Sequence, residues 1–185
     1  DFRLGQGISA RLAELMDRDP ARIALTFSVM LTLPGTPVIY YGDEFGKLND
    51  EEYYSEMKVA VGKDDTRFLV RGKINWQTVQ DALQDDDSLT AKVYAKIRTM
   101  LKARNEYPVF GRGQIEWLIF NKADGTRSDE VLAYYRTLDN LKILVIQNLS
   151  ANHLELKWNL PEGTSLTGKE PEILGDRLKM KGFDY

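Results

Sequence analysis

The sequence predicts an α/β unit followed by an all-β antiparallel sandwich, and three observations predict it. A helical stretch opening at Pro20 is stopped by Pro34-Gly35 and followed at once by the apolar run Pro37-Val38-Ile39-Tyr40-Tyr41, a helix-turn-strand order typical of α/β folds. The hydrophobic period then changes from helical to strand-like after Tyr107-Pro108. Beyond that point several short strand-like segments follow at close spacing, as in a sandwich.

Taken in order, Ile8, Leu12, Leu15 and Met16 lie at helical spacing before the polar Asp17-Arg18-Asp19, which predicts a short amphipathic helix over 8–16. Asp19 before Pro20 supplies an N-cap and a first-turn proline for a second helix, carrying Ile23, Leu25, Phe27, Val29, Met30, Leu31 and Leu33. Apolar residues on nearly every face predict that it is buried on more than one side. The run 37–41 is continuous rather than alternating, which fits a parallel strand covered on both faces, with Asp43 and Glu44 just past its carboxyl end. Residues 45–88 form a long charged excursion with short helices over 51–59 and 76–83; a loop of that length in a compact domain tends to be functional. Ser88 caps a last helix, 88–105, with Leu89, Val93, Ile97, Met100 and Leu101 inward and Lys92, Lys96, Arg98 and Lys102 toward water. The predicted strands are 114–120, 131–138, 141–149, 153–159, 170–174 and 178–180, with a two-residue hairpin turn at Asp139-Asn140 and another turn at Ala123-Asp124-Gly125. The domain boundary is expected at 107/108.

Composition narrows the function. With 43% hydrophobic and 29% charged residues the chain is ordinary globular protein, and its net charge of −3 is interspersed without basic runs, which argues against nucleic-acid binding. The sequence has no cysteine, excluding disulfides, thiolate metal sites and a cysteine nucleophile, and suits a cytoplasmic setting. A single histidine, His153, in a strand-like stretch argues against a Ser-His-Asp triad or a histidine metal site. No apolar run approaches membrane-spanning length, no cofactor motif is present, and no metal is expected.

One argument from topology concerns completeness. A buried parallel strand needs hydrogen-bonded neighbours on each side, and residues 1–107 offer one convincing strand among several helices. Its neighbours are therefore expected upstream in a longer chain or in another polypeptide. The start Asp1-Phe2-Arg3-Leu4-Gly5, with neither an initiator methionine nor a leader pattern, reads as internal.

The stretch Leu33-Pro34-Gly35-Thr36-Pro37-Val38-Ile39-Tyr40-Tyr41-Gly42-Asp43-Glu44-Phe45-Gly46 resembles the segment around the eighth barrel strand of the α-amylase family, glycoside hydrolase family 13. Arg71-Gly72-Lys73-Ile74-Asn75-Trp76 is similar to an Arg-x-x-Met-Gln-Trp motif of the family's α-glucosidases and trehalose synthases, departing from it by Gly-Lys for Thr-Pro. Gly7 to Ala13 with Asp17 to Ile23 resembles the preceding helix region of trehalose synthases, and Gly175 to Tyr185 resembles the last hairpin of the C-terminal β-domain. The resemblance implies the C-terminal portion of a (β/α)8 barrel over 1–107, with strand 8 at 37–41, followed by a β-sandwich domain over 108–185. It also implies retaining chemistry on an α-glucan or α-linked oligosaccharide by two carboxyl groups about 5 to 5.5 Å apart. None of the family's nucleophile, acid/base or stabiliser motifs is found in this sequence, so the chain alone is expected to be inactive and no residue is assigned as catalytic.

Three residues are candidates for substrate binding. Arg71 matches the family's arginine that pairs with an aspartate at the floor of the glucose pocket, where a guanidinium fork suits a carboxylate and sugar hydroxyls together; otherwise it is a solvated loop arginine like Arg67. Asp43 and Glu44 could reach the cleft as hydrogen-bond acceptors, or simply anchor the long loop. Tyr40, Tyr41 and Trp158 read as core, and Trp76 and Trp117 as rings able to stack on sugars. The chain then either completes the barrel of an α-glucoside-active enzyme or serves as a glucan-binding or assembly module.

Overall fold

In a computed structural model the described residues are 2–3, 7–160, 163–167 and 172–185. They form two compact units, one of Asp1–Ile23 with Val38–Ile97 and one of Ala24–Pro37 with Arg98–Tyr185.

The first unit opens with a two-residue antiparallel bridge between β1 (Phe2–Arg3) and β2 (Gly7–Ile8), and the single turn α1 (Leu12–Leu15) follows. The helix predicted over 8–16 is thus shortened at its front. Arg11 is extended (φ −73°, ψ 149°) and its N–H donates to Asn49 Oδ1 at 2.9 Å, so helical backbone cannot begin before Leu12, and Ile8 is left 61% exposed. α2 (Pro20–Thr32) begins as its sequence predicts, with the Ala21 N–H on Asp19 Oδ1 at 2.8 Å, and none of its residues is exposed. In the long excursion, α3 (Glu51–Val61) is capped by Asp50, which accepts from the Tyr53 N–H, and is stopped by Gly62 in the left-handed region. α4 (Trp76–Leu83) is capped by Asn75, which accepts from the Thr78 N–H. α5 (Leu89–Glu106) is capped by Ser88 Oγ at 3.0 Å from the Ala91 N–H. Val93, Ile97 and Met100 are buried on it while Lys92, Lys96, Arg98 and Lys102 are exposed; Leu101 is exposed too, although its spacing predicts an inward position.

Residues 36–40 form no β-ladder among the described residues, and Val38 is 79% exposed. Without ladder partners on either side this run cannot be a buried parallel strand within these residues alone.

The second unit carries the sheets. After the short α6 (Val109–Arg112) come β3 (Gln114–Leu118), β4 (Val131–Leu138) and β5 (Leu141–Asn148), an antiparallel sheet in the order β3-β4-β5. Asp139 at φ 52° makes the predicted tight turn and sets the Leu138↔Leu141 register. β6 (Leu154–Lys157), β7 (Glu172–Leu174) and β8 (Arg177–Met180) form a second antiparallel sheet in the order β6-β8-β7. The part of the predicted strand 170–174 before Glu172 lies outside the described residues. Leu154 and Leu156 alternate with exposed Glu155 and Lys157, and with Phe120, Ala133, Leu178 and Met180 they form a core drawing on both sheets. Trp158 packs against that core, stacked on Phe120 at 6.2 Å, as its alternation predicts. A second core, of Val109, Phe110, Tyr134 and Val145, lies on the other face of the first sheet.

The C-terminal half of α2 belongs to this unit through polar contacts rather than apolar ones alone. The last carbonyls of a helix have no partner within it. Here Arg136, fully buried, donates to Thr32 O, to Gly113 O at 2.8 Å and to Gln114 O at 3.3 Å, while Arg104 donates to Leu31 O and to Gly35 O at 2.9 Å. Buried Gln147 reaches Ser28 Oγ at 2.7 Å, and the hydroxyls of Thr32 and Tyr134 meet at 2.7 Å. These bonds tie the C-terminal half of α2 into the second unit.

Candidate functional site

Two glycines shape the turn that follows the Tyr40-Tyr41 pair. Gly42 at φ +91° and Gly46 at φ +66° bracket a 3-10 turn, Asp43–Phe45, closed by bonds from the Phe45 and Lys47 N–H groups to Gly42 O at 3.0 and 2.9 Å. Both φ values are costly for residues with a Cβ. The turn presents Asp43 and Glu44 side by side and turns Phe45 inward, stacked on Tyr94 at 5.4 Å and edge-on to Trp76 at 5.9 Å. Trp76 is therefore partly engaged in packing although it remains more than half exposed.

The residue that organises this turn is one the sequence reading passed over. Arg11 has a side-chain exposure of 0%. Its Nη1 donates to Tyr41 O at 2.6 Å and lies 3.4 Å from Asp43 Oδ1, and its guanidinium carbon lies 4.7 Å from the Tyr40 ring centroid and 4.8 Å from that of Tyr41. A delocalised, weakly hydrated cation tolerates such burial against aromatic faces better than an ammonium would. Among the described residues its Nε and Nη2 have no hydrogen-bond partner, and neither has the buried Glu44 Oε2. Tyr40 and Tyr41, expected in the core, instead cover this cation while remaining partly exposed. The signal that could have found Arg11 is that it interrupts a helical pattern within the Gly7–Ala13 segment, where a solvated arginine would not.

Burial pushes the Asp43 carboxyl above its ordinary value of 3.8; Arg11 opposes that shift by charge and hydrogen bond, and Glu44 adds to it. Asp43 is thus a partly desolvated carboxylate balanced against one buried cation, a group that can accept a hydrogen bond or take up a proton.

Arg71 sits elsewhere in the same unit. It ends a second 3-10 turn, Thr66–Val70, with its N–H on Phe68 O at 3.2 Å. Its side chain is exposed, with no hydrogen bond or ion pair among the described residues, and its charge contributes to lowering the Asp65 carboxyl to about 2, a shift caused first by hydrogen bonds from Arg67. The next residue is fixed more tightly. Gly72 is buried, and a Cβ there would fall 1.8 Å from Asp50 Oδ2. The Tyr41 hydroxyl donates to Gly72 O at 3.2 Å, linking the loop that carries Arg71 to the turn that carries Asp43. Thus Asp43 and Glu44 are brought together, and Arg71 is tethered to them through Tyr41 without touching either. Among the described residues no three His, Cys, Asp or Glu side chains gather as metal ligands, and no helix is long and apolar enough to cross a membrane.

No family model matches the chain. It is 30% identical over 184 residues to a trehalose synthase/amylase of Mycobacterium tuberculosis, an alignment covering 89% of this chain and 29% of that protein. It is 31% identical over 164 residues to a trehalose synthase of Pimelobacter sp., covering 78% of this chain and 27% of that one. Among solved structures, the α-amylase of H. orenii matches with a TM-score of 0.61 and 23% identity over 94% of this chain and 36% of that one, a likeness of fold. The chain spans under a third of the length of these curated relatives. Its relatives being trehalose synthases and α-amylases, and its structural neighbours amylase-type enzymes, the chain belongs to the α-amylase family, glycoside hydrolase family 13.

Proposed function

We propose that the chain is the C-terminal part of a retaining enzyme acting on α-glucosides, with residues 1–107 completing a (β/α)8 barrel and 108–185 forming its β-domain. The observation that carries this reading is the 30% identity to a trehalose synthase/amylase across 89% of the chain. In this reading 37–41 becomes the eighth barrel strand when neighbours are supplied, and the nucleophile and the acid/base come from another segment of the enzyme. Arg71 contacts the glucosyl unit, its free guanidinium fork suiting hydroxyls and a carboxylate together. Asp43 and Glu44 support the cleft as acceptors at the strand's carboxyl end. The absence of cysteine favours a cytoplasmic enzyme.

Two measurements test this. The purified chain alone should release no glucose from maltose or a nitrophenyl α-glucoside, and turnover by it would overturn the division of labour. Substituted for the matching part of the Pimelobacter trehalose synthase, the chain should restore turnover of α-glucosides, and Arg71→Ala in that hybrid should lower kcat/KM roughly tenfold or more, as for a lost charged hydrogen bond. A folded hybrid without activity, or one indifferent to Arg71→Ala, would count against the assignment.

A further inference from the structure

The loop that carries Arg71 is fastened from three sides within the first unit. The Tyr41 hydroxyl donates to Gly72 O at 3.2 Å, and Lys47 Nζ donates to Lys73 O at 3.4 Å. Asp50 closes on the same spot: a Cβ on residue 72 would fall 1.8 Å from its Oδ2, so a glycine is what lets it approach. Asp50 is itself fixed, its carboxylate accepting from the Tyr53 N–H at 3.0 Å and its own N–H donating to Leu69 O at 2.8 Å. On the near side, the Arg71 N–H is bonded to Phe68 O at 3.2 Å. The backbone at Arg71 is thus held before and after, while its exposed side chain makes no hydrogen bond or ion pair among the described residues.

Of these fastenings, the one from Tyr41 is itself the most firmly held. The Arg11 guanidinium grips Tyr41 twice, donating from Nη1 to its carbonyl at 2.6 Å and lying 4.8 Å from its ring centroid. The Arg11 side chain is wholly buried, and a planar cation held by a ring and a carbonyl together has little freedom to turn. Lys47 by contrast offers a flexible ammonium at the outer limit of hydrogen-bond length. Burial, against the pull of the Arg11 charge, holds the Tyr41 hydroxyl above the ordinary phenol range, so it stays protonated and able to donate through neutrality.

We infer that, on the reading in which Arg71 meets the glucosyl unit, Tyr41 is its positioning residue: held by Arg11 at one end and bonded to Gly72 O at the other, it fixes the loop from which the Arg71 fork projects. A guanidinium on a long, unbraced side chain depends on its backbone for aim, and a small misplacement of a group that contacts substrate is costly to rate. Tyr41 acts through Arg71 rather than on the sugar.

Two experiments test this. In the chain itself, Tyr41→Phe keeps the ring beside Arg11 and removes the hydroxyl alone. The Gly72 carbonyl carbon resonance should then move upfield, while that of residue 41, still bonded to Arg11, stays in place. A Gly72 resonance that does not move would overturn the inference, because the bond would be absent. In the Pimelobacter hybrid, Tyr41→Phe should lower kcat/KM roughly fivefold, the equivalent of one net hydrogen bond, and the same change on an Arg71→Ala background should cost under about twofold. Gly72→Ala, which drives Asp50 off the loop, should also lower kcat/KM and lose its effect on that background. A residue that merely holds the fold would lower activity equally with and without Arg71. Such additivity, or no loss from Tyr41→Phe while Arg71→Ala is costly, would overturn the positioning role alone. Arg71→Ala without effect would instead overturn the enzymatic reading of Arg71, and the positioning role with it.

Discussion

Arg11 and Asp43 form a pair in which the cation is wholly buried and the carboxylate 16% exposed, and it makes the stability of the first unit depend on pH. The folded Asp43 carboxyl titrates above its unfolded value of 3.8, chiefly because it is desolvated. A raised value means that the folded state binds its proton more readily, so this group's stabilising contribution is fully present below 3.8 and lost as pH rises through the folded value. Asp43→Asn removes that dependence. Urea midpoints measured from pH 3 to 7 should therefore differ least between variant and parent at the acid end, with the variant gaining on the parent as pH rises. A parallel pair of curves would show that Arg11 neutralises the cost completely. Arg11 itself was not legible as a site residue: a sequence shows that an arginine breaks an apolar period, but not that two tyrosine rings some 30 positions away close over it. Asp43 and Glu44 were legible as a pair because both sit in one short turn between two glycines. That Arg71 lies apart from them was not, since the sequence gives no distance across a long loop.

Elements were read well wherever their determinants are local. Asp19, Asp50, Asn75 and Ser88 each accept the N–H that an N-cap should, and the helices they open begin where sequence places them. The hairpin at Asp139 is likewise set by two residues. Misreadings occur where distant groups decide. α1 is short because Arg11 must stay extended, and 37–41 forms no ladder because a strand is defined by its neighbours. Arg136 is the strongest such case, a charged residue fully buried in β4, where sequence alternation reports the face but not the carbonyls awaiting it. Since it donates to Thr32 O, Gly113 O and Gln114 O, Arg136→Met should leave three acceptors unpaired and cost about 3 kcal/mol in chemical denaturation. Arg136→Lys, keeping the charge but not the fork, should fall between. A loss below 1 kcal/mol for Arg136→Met, on the order of a single net hydrogen bond, would mean that water replaces the guanidinium.

At the scale of the molecule, several large apolar side chains are open to solvent. Val38 is 79% exposed, Ile119 67% and Trp117 59%. Against this stands a net charge of only −3 and an isoelectric point near 5.3. Colloidal repulsion is then weak at neutral pH and vanishes on mild acidification. Static light scattering across pH 4 to 8 should peak near 5.3, and scattering that falls steadily through that point would show these patches to be harmless. The two arginines that close the end of α2 have a different consequence. Burial draws both Arg104 and Arg136 below the ordinary arginine range, yet a guanidinium remains charged throughout any condition a cell presents. The latch they form on Leu31 O and Thr32 O is therefore blind to protons, unlike the Asp43 pair. The rise in pH that costs the first unit its Asp43 contribution therefore leaves this fastening engaged, and the helix-to-sheet junction of the second unit keeps the same contacts across that range.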